Sequence, residues 1–225
     1  MSTVAESVST AINTPIKLDI GCGKNKKEGF IGIDIYDFPG VDIVADVRRK
    51  TWLATQVPEE LKARMIEDDG EDEPNELEVI AWRFPDNSVD EAHASHFLEH
   101  LTNFGDKWER VNFFNELYRI LKLGAQASLI FPHWASNRYY GDPTHKEPFS
   151  EMGFYYLKRE WRLDQGNAPH SDSSVNPNGY SCDFEATWSY TLHPGLANRH
   201  VETQQFAITW GKEAVQDIVA TLTKR

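Results

Sequence analysis

The sequence predicts an α/β fold built on a mostly parallel sheet, and three features support this prediction. An apolar segment, Leu18–Ile20, runs directly into a Gly-x-Gly turn, as the first strand of such a sheet does. A second apolar segment, Phe30–Ile33, ends in the acidic residue Asp34. The segment Trp108–Leu121 carries apolar residues at three- and four-residue steps, which predicts a long helix before the strand Ala127–Phe131. With 225 residues, the chain is long enough to bury one sizeable core.

The remaining elements complete a predicted sheet of seven strands with helices on both faces. We predict the strands, in chain order, at Ile16–Ile20, Phe30–Ile33, Asp42–Ala45, Val89–Ala94, Ala127–Phe131, Phe184–Leu192 and Thr203–Trp210. The last two are expected to form an antiparallel hairpin at one edge. Gly124 is expected to end the long helix as its C′ residue. A terminal helix is expected to place four apolar residues on one face, namely Val215, Ile218, Val219 and Leu222.

Two segments depart from a regular alternation of strands and helices. The connection Lys24–Gly29 is shorter than the ~10–12 residues that a crossover needs, so the first helix is truncated or replaced by a loop. An insertion after the third strand carries a short helix at Pro58–Met65 and an acidic run at Glu67–Pro74, and we expect it to be solvated and mobile. We predict a flexible tail at residues 1–14 and a single domain at 15–225. Within that domain, the insertion covers residues 51–81, and the substrate-side loops or lid cover residues 132–180.

Composition restricts the partners and the compartment. The net charge of −12 argues against duplex nucleic acid as the main partner, because such binding relies on a basic surface. The two cysteines, Cys22 and Cys182, provide neither a disulfide framework nor the spacing of a zinc site. We expect both to be reduced thiols of a cytoplasmic protein. The polar N-terminal segment lacks a signal core, and no apolar run is long enough to span a membrane.

The Gly-x-Gly turn, Gly21 to Gly23, predicts a site for a nucleoside. Glycine lets the backbone approach a ligand where a Cβ would clash, and an acid at the tip of the next strand, here Asp34, can accept both hydroxyls of a ribose. Two other cofactor motifs fit less well. A dinucleotide fingerprint requires a third glycine where the chain has Lys26, and a P-loop requires serine or threonine where it has Asn25. The sequence therefore favours a nucleoside without a pyrophosphate.

Four segments carry a wider pattern in a fixed order along the chain: Leu18–Gly23, Phe84–Asp90, Ser95–Leu101 and Glu116–Gly124. In this order and spacing they resemble the class I S-adenosylmethionine-dependent methyltransferases. The first is similar to that family's glycine motif, and the others to the segments around its fourth strand and before its fifth. The usual Lys-Pro-Gly-Gly turn is altered here to Lys122–Ala125. The resemblance implies a Rossmann-like fold and S-adenosyl-L-methionine as the cofactor.

The resemblance also implies which residues bind that cofactor. The glycine loop would wrap the methionine part, the acid after the second strand would accept the ribose hydroxyls, and an acid with the following amide would contact the adenine edge. The end of the fourth strand would lie beside the methyl-donating sulfur. The implied cofactor-binding residues are Asp19, Gly21, Cys22, Gly23, Asp34, Ile35, Asp46, Val47 and Ser95.

The predicted reaction is methyl transfer to an oxygen or nitrogen of a small or medium-sized acceptor. The chain lacks the Asp/Asn-Pro-Pro-aromatic motif of the enzymes that methylate DNA amino groups, and has Ser95–Phe97 at that place. Histidine is the natural proton acceptor near neutral pH. The catalytic candidates are His96 and His145, with Asp142 orienting His145. Because His133, Asp142 and His145 have no diagnostic ligand spacing, no metal is expected.

Two other classes of function remain open on the sequence alone. One is a regulator or partner subunit that binds S-adenosylmethionine without catalysis, which the truncated first helix and the acidic insertion would suit. The other is a different group transfer from the same cofactor, such as aminopropyl transfer or a lyase reaction. Release of S-adenosylhomocysteine in the presence of an acceptor would separate the enzyme from the noncatalytic binder.

Overall fold

The computed structural model describes residues 14–68, 81–105, 107–164 and 166–225. Within these ranges the strands are β1 (Lys17–Ile20), β2 (Ile31–Asp34), β3 (Ile43–Ala45), β4 (Ala54–Gln56), β5 (Ile66–Asp68), β6 (Ala81–Arg83), β7 (Val89–Ser95), β8 (Leu121–Pro132), β9 (Phe184–Leu192) and β10 (Val215–Lys224). They form one mixed sheet in the order β5-β6-β4-β3-β2-β1-β7-β8-β10-β9. The prediction of seven strands is therefore wrong, because the described residues contribute ten.

The parallel part of the sheet follows the prediction. Strands β3, β2, β1, β7 and β8 are neighbours and run parallel. Leu18 of β1 lies opposite Ile31 of β2 on one side and Ala92 of β7 on the other. Leu18 and Ile20 are fully buried in the core. The carboxyl ends of these five strands consequently meet at one edge, where sheets of this kind bind their ligands.

The helices are α1 (Glu59–Lys62), α2 (Glu109–Ile120), α3 (Asn137–Tyr140), α4 (Glu151–Tyr156), α5 (Arg159–Leu163), α6 (Pro194–Ala197) and α7 (Val201–Trp210), with 3₁₀ turns at Leu98–His100 and Pro169–Ser171. The amphipathic helix predicted before β8 is confirmed as α2, which buries Val111, Phe114 and Leu117. Among the described helices, none has the length and apolar character needed to cross a membrane.

The end of α2 differs from the prediction. Gly124 does not cap the helix, because Leu121 already has extended backbone angles and begins β8. Gly124 instead lies within that strand with φ +77°. Left-handed backbone of this kind favours glycine, since a Cβ is disfavoured there. Gly124 is thus required by irregular backbone within β8 and does not terminate the helix.

The first crossover contains no helix among its described residues, as its length predicts. Because this loop has no helical hydrogen bonds, side-chain carboxylates fix its position. Asp19 accepts a hydrogen bond from the amide of Lys27 at 2.7 Å. Asp42 accepts from the amide of Gly32 at 2.7 Å and pairs with the ammonium of Lys26 at the same distance. The loop is therefore attached to β1 and to the start of β3.

The insertion is structured where it is described. Strands β4, β6 and β5 extend the sheet beyond β3 as an antiparallel edge. Trp52, at the start of the insertion, is 2% exposed and stacks on Phe113 of α2. The described part of the insertion, residues 51–68 and 81, thus contributes to the sheet, while its mobility stays a prediction. Residues 69–74 of the acidic run lie outside the described residues, as does the tail at 1–13.

The second half of the chain contains the largest correction. The predicted strand at Thr203–Trp210 is helical and belongs to α7, while the predicted terminal helix is strand β10. β10 lies between β8 and β9 and is antiparallel to both. Ile218, Ala220 and Leu222 alternate into the core and are fully buried, a period of two that a strand requires. The predicted antiparallel edge with Phe184–Leu192 is confirmed as β9, but its partner is β10.

Candidate active site

The predicted site residues gather at the carboxyl edge of the parallel strands. Gly21 follows β1, Asp34 ends β2, Asp46 follows β3 and Ser95 ends β7. Because β2 pairs with both β1 and β3, and β1 with β7, these four positions lie on adjacent strands. One cavity, of about 570 Å³, lies along α2, lined among others by Asn115 and Arg119, and none of these four residues lines it.

The glycine loop depends on its two glycines for different reasons. Gly21 has φ +66°, and a Cβ there would lie 2.7 Å from Cγ of Phe97, so both the backbone and the neighbour exclude a side chain. Gly23 has φ +52° but no neighbour within 4 Å. Burial raises the pKa of the Cys22 thiol to about 12, so Cys22 is an unreactive part of the loop.

Asp34 closes the glycine loop onto β2. Its carboxylate accepts hydrogen bonds from the amide of Gly23 at 2.9 Å and from the amide of Tyr36 at 3.0 Å, one at each oxygen. A carboxylate has about four acceptor sites, so each oxygen keeps one for a ligand hydroxyl. Ile35 and Tyr36 are exposed beside it and offer apolar surface. These features fit a nucleoside, with its ribose on Asp34.

Asp19 acts on the shape of the loop. It is 4% exposed, and burial raises the pKa of its carboxyl, against the opposing effect of the hydrogen bond from the Lys27 amide. The residue opposite it on β7 is His93. Burial lowers the pKa of His93, which favours its neutral form. Asp19 therefore positions the backbone of the first crossover through its hydrogen bond with the Lys27 amide.

Asp46 and Val47 lie where the third strand ends. Burial acts to raise the pKa of Asp46, but hydrogen bonds from the Arg48 side chain and amide lower it on balance. The guanidinium of Arg48 binds both carboxylate oxygens, at 2.7 and 2.8 Å. The side chain of Val47 is buried, which leaves its backbone for any ligand contact. Contact of this pair with adenine stays a prediction.

Ser95, His96 and Asp217 form a polar chain next to the glycine loop. His96 has φ +53°, and its amide donates to the carbonyl of Ile130 at 2.7 Å. Its Nδ1 lies 3.0 Å from Oγ of Ser95, and its Nε2 lies 3.6 Å from Oδ1 of Asp217. Asp217 is 5% exposed and pairs with Arg138 at 2.7 Å. The His96 ring is thus accessible on one side and faces a buried carboxylate on the other.

His145 and Asp142 lie further along the chain, in the loop after β8. Nδ1 of His145 lies 2.6 Å from the carbonyl oxygen of Tyr139, and the side chain is nearly buried. Its Nε2 lies 3.8 Å from Glu99 and 3.9 Å from Asp142. Hydrogen bonds from the side chain and amide of Thr144 lower the pKa of the exposed Asp142. His145 and Asp142 are neighbours, as predicted; their catalytic roles stay predictions.

Comparison with known proteins decides the family. The family model described as a methyltransferase domain matches residues 18–129, which include every strand that contributes to the glycine loop and its neighbours. The chain belongs to the class I S-adenosylmethionine-dependent methyltransferases. S-adenosyl-L-methionine is accordingly the cofactor of this enzyme. No curated protein matches the methyltransferase by sequence.

Two solved structures from archaea are similar to this chain. The methyltransferase is similar to an S-adenosylmethionine-dependent methyltransferase from Archaeoglobus fulgidus, with 17% identity, a TM-score of 0.53, and 99% of this chain and 92% of the other covered. A second similar structure, from Methanosarcina mazei, has 17% identity, a TM-score of 0.45, and 97% and 96% of the two chains covered. The first of these likenesses supports the fold.

Three acidic residues of the methyltransferase site are not predictable from the sequence pattern. Asp217 falls in the segment for which the pattern predicts a helix, so its approach to His96 has no local signal. Glu99 lies in a segment that the resemblance covers, but only the structure shows its carboxylate to be 2% exposed. Glu151 begins α4 and accepts hydrogen bonds from Tyr190 at 2.9 Å and from Trp134 at 3.2 Å, with His133 Nε2 also at 3.2 Å.

Glu151, His133, Trp134 and Tyr190 form a hydrogen-bonded cluster, which we call the Glu151 cluster. We expect it to make the stability of the methyltransferase depend on pH. Burial opposes ionisation of Glu151, yet the hydrogen bonds of His133 and Tyr190 lower its pKa from near 4.5 to about 2. A carboxyl with a depressed folded pKa stabilises the protein above pH 4.5, and this contribution disappears as the pH falls towards 2. Glu151→Gln is expected to cost roughly 1–2 kcal/mol of unfolding free energy at pH 7.

Chemical denaturation of both proteins at several pH values measures this difference. The difference in unfolding free energy between wild type and Glu151→Gln should become smaller as the pH falls below 5. A gap that stays constant with pH would show that packing, and not ionisation, distinguishes the two proteins. Glu160→Gln, on the exposed side of α5, is the matched control.

Proposed function

We propose that the enzyme transfers the methyl group of S-adenosylmethionine to an oxygen or nitrogen of a small or medium-sized acceptor. The Ser95–His96–Asp217 chain carries this proposal. It places an accessible imidazole 3.6 Å from a buried carboxylate, at the edge where the predicted cofactor-binding residues gather. A hydroxyl acceptor, or an amine that carries an N–H, releases a proton when it is methylated, and such a base can accept that proton.

The chemistry follows from the two ring nitrogens of His96. With the proton on Nε2, the ring faces the Asp217 carboxylate and Nδ1 is free to accept. The cofactor, when bound, supplies an activated methyl on a sulfonium centre. As the acceptor atom bonds to that methyl carbon, the sulfur–methyl bond would break and leave S-adenosylhomocysteine, and the acceptor's proton would pass to His96, directly or through the Ser95 hydroxyl. Asp217 stabilises the imidazolium that results, and Arg138 fixes the Asp217 carboxylate.

The charges of this edge support an acceptor other than duplex nucleic acid. Asp142 and Asp217 are acidic and lie beside the two catalytic candidates, whereas burial raises the pKa of the Glu99 carboxyl to about 7. Arg138, which is paired with Asp217, is a cation of this cluster. A polyanion would meet repulsion here, whereas a neutral or cationic small molecule would not. We therefore place the acceptor among small polar metabolites that carry a hydroxyl or an amine.

A labelled-methyl screen of cell metabolites, nucleic acid and protein tests the proposal. We expect transfer to a small hydroxyl or amine compound. With that acceptor, His96→Asn should lower kcat roughly 100-fold or more while leaving affinity for S-adenosylmethionine unchanged. His170→Asn, at an exposed histidine elsewhere, is the control. Transfer to carbon or sulfur acceptors alone, or full kcat in His96→Asn, would contradict the proposal.

A further inference from the structure

Three side chains with metal-ligating atoms meet at the carboxyl edge. Glu99 and His100 lie on the 3₁₀ turn after β7, and His145 lies on the loop after β8. One ligand atom from each lies within 4.8 Å of the other two. The two segments are attached to each other, because the amide of Lys146 donates to the carbonyl of Glu99 at 2.9 Å. The rings of His100 and His145 also pack edge to face, 4.9 Å between centroids.

Glu99 needs a partner that the described residues do not supply. Its side chain is 2% exposed, and within the described ranges neither carboxylate oxygen has a hydrogen-bond donor from another residue. The approach of His145 Nε2, at 3.8 Å, is too long for a hydrogen bond. A buried carboxylate without a donor is costly and calls for an explanation such as an ion. The oxygen near His145 faces the same space as the two imidazoles.

Both histidines are oriented as metal ligands are. Nδ1 of His145 lies 2.6 Å from the carbonyl oxygen of Tyr139, and Nδ1 of His100 lies 3.3 Å from both the carbonyl oxygen and the hydroxyl oxygen of Thr144. That hydroxyl donates its proton to Asp142 at 2.6 Å, so both Thr144 oxygens are acceptors for His100. Donation from each Nδ1 leaves each Nε2 with its lone pair. Metal-binding histidines characteristically donate their second ring N–H to a backbone carbonyl or a carboxylate.

We propose that Glu99, His100 and His145 bind a divalent transition-metal ion such as Zn²⁺. Imidazole ligands favour such ions over magnesium or calcium, and three protein ligands leave at least one position open. Asp142, with Oδ2 3.9 Å from Nε2 of His145, lies on the exposed side and can complete the coordination. The sequence-based expectation of no metal considered His133, Asp142 and His145, and omitted the buried Glu99. The proposal is independent of the acceptor's identity.

Titration of chelator-treated protein with Zn²⁺ and with Co²⁺ tests the site. We expect one equivalent of either ion to bind, and Co²⁺ to develop visible absorption bands from nitrogen and oxygen ligands. Glu99→Gln and His145→Asn should each weaken binding at least about 10-fold. His170→Asn, which changes an exposed histidine outside the cluster, should bind as the wild type does. Circular dichroism of each variant confirms folding.

Two outcomes overturn the proposal. One is the absence of saturable binding of both ions to the folded wild type. The other is unchanged affinity in Glu99→Gln and His145→Asn, which would place any bound ion elsewhere. Methyl transfer is measured in parallel to keep the two proposals apart. Transfer by a protein that binds no metal contradicts the metal site alone, whereas stoichiometric binding without transfer supports the metal site and counts against the proposed reaction.

Discussion

A Gly21→Ala variant is expected to lose stability and cofactor binding together. Alanine at φ +66° costs roughly 1–2 kcal/mol, and its Cβ would also collide with the Phe97 ring. Overpacking of this kind adds roughly 1–3 kcal/mol, so the unfolding free energy should fall by roughly 2–5 kcal/mol. If Phe97 moves to relieve the clash, the loop at the end of β7 moves with it. Denaturant unfolding and calorimetry with S-adenosylmethionine measure both effects.

Gly23→Ala is the matched control, because it isolates the backbone contribution. Gly23 also has a positive φ, +52°, but a Cβ at this position would have no neighbouring atom within 4 Å. The variant should therefore lose only roughly 1–2 kcal/mol and remain folded. Equal losses in the two variants would show that Phe97 has no part in the effect. Wild-type stability in Gly21→Ala would contradict the described loop.

An Asp34→Asn variant is expected to bind S-adenosylmethionine roughly 10- to 100-fold more weakly, because a hydrogen bond to a charged group contributes ~1.5–3 kcal/mol. Asparagine retains one acceptor oxygen, so it can keep the amide of Gly23 or that of Tyr36 but not both. The ribose hydroxyls would lose their charged acceptor at the same time. Calorimetry with S-adenosylmethionine and S-adenosylhomocysteine measures the change.

Asp37→Asn separates this effect from a general loss of negative charge. Asp37 is exposed and lies three positions further along the same loop. Its replacement should leave affinity for both ligands unchanged. If Asp34→Asn also bound both ligands as the wild type does, Asp34 would serve only to hold the loop, and the ribose would be bound elsewhere.

The parallel centre of the fold is predictable because its signals are local. The glycine turn after β1 and the acid at the end of β2 mark the ends of two strands within a few residues of each other. The short first crossover indicates that no full helix can follow β1. These features are fixed by chain length and by the conformations that glycine permits, and they need no information from distant residues.

The antiparallel half is not predictable in the same way. Val215, Ile218, Val219 and Leu222 fit one face of a helix as well as they fit a strand. Hydrogen bonds to β8 and β9, far away in the sequence, select the strand. Asp217 lies near His96 because this segment is a strand. The strands of the insertion are not predictable for a similar reason, because the edge of β3 gives β4 a partner that the acidic composition does not reveal.

The position of β10 has a consequence for synthesis. β9 and β8 are both made before β10, yet they are not neighbours, since β10 fills the gap between them. A nascent chain that ends before Val215 therefore has no place in the sheet for β9, and it lacks Asp217. We expect the edge that contains Asp217 to assemble late, after long-range pairing, which is the slow type of folding step. A folding intermediate would then have its parallel half formed while the Asp217 carboxylate is not yet in place.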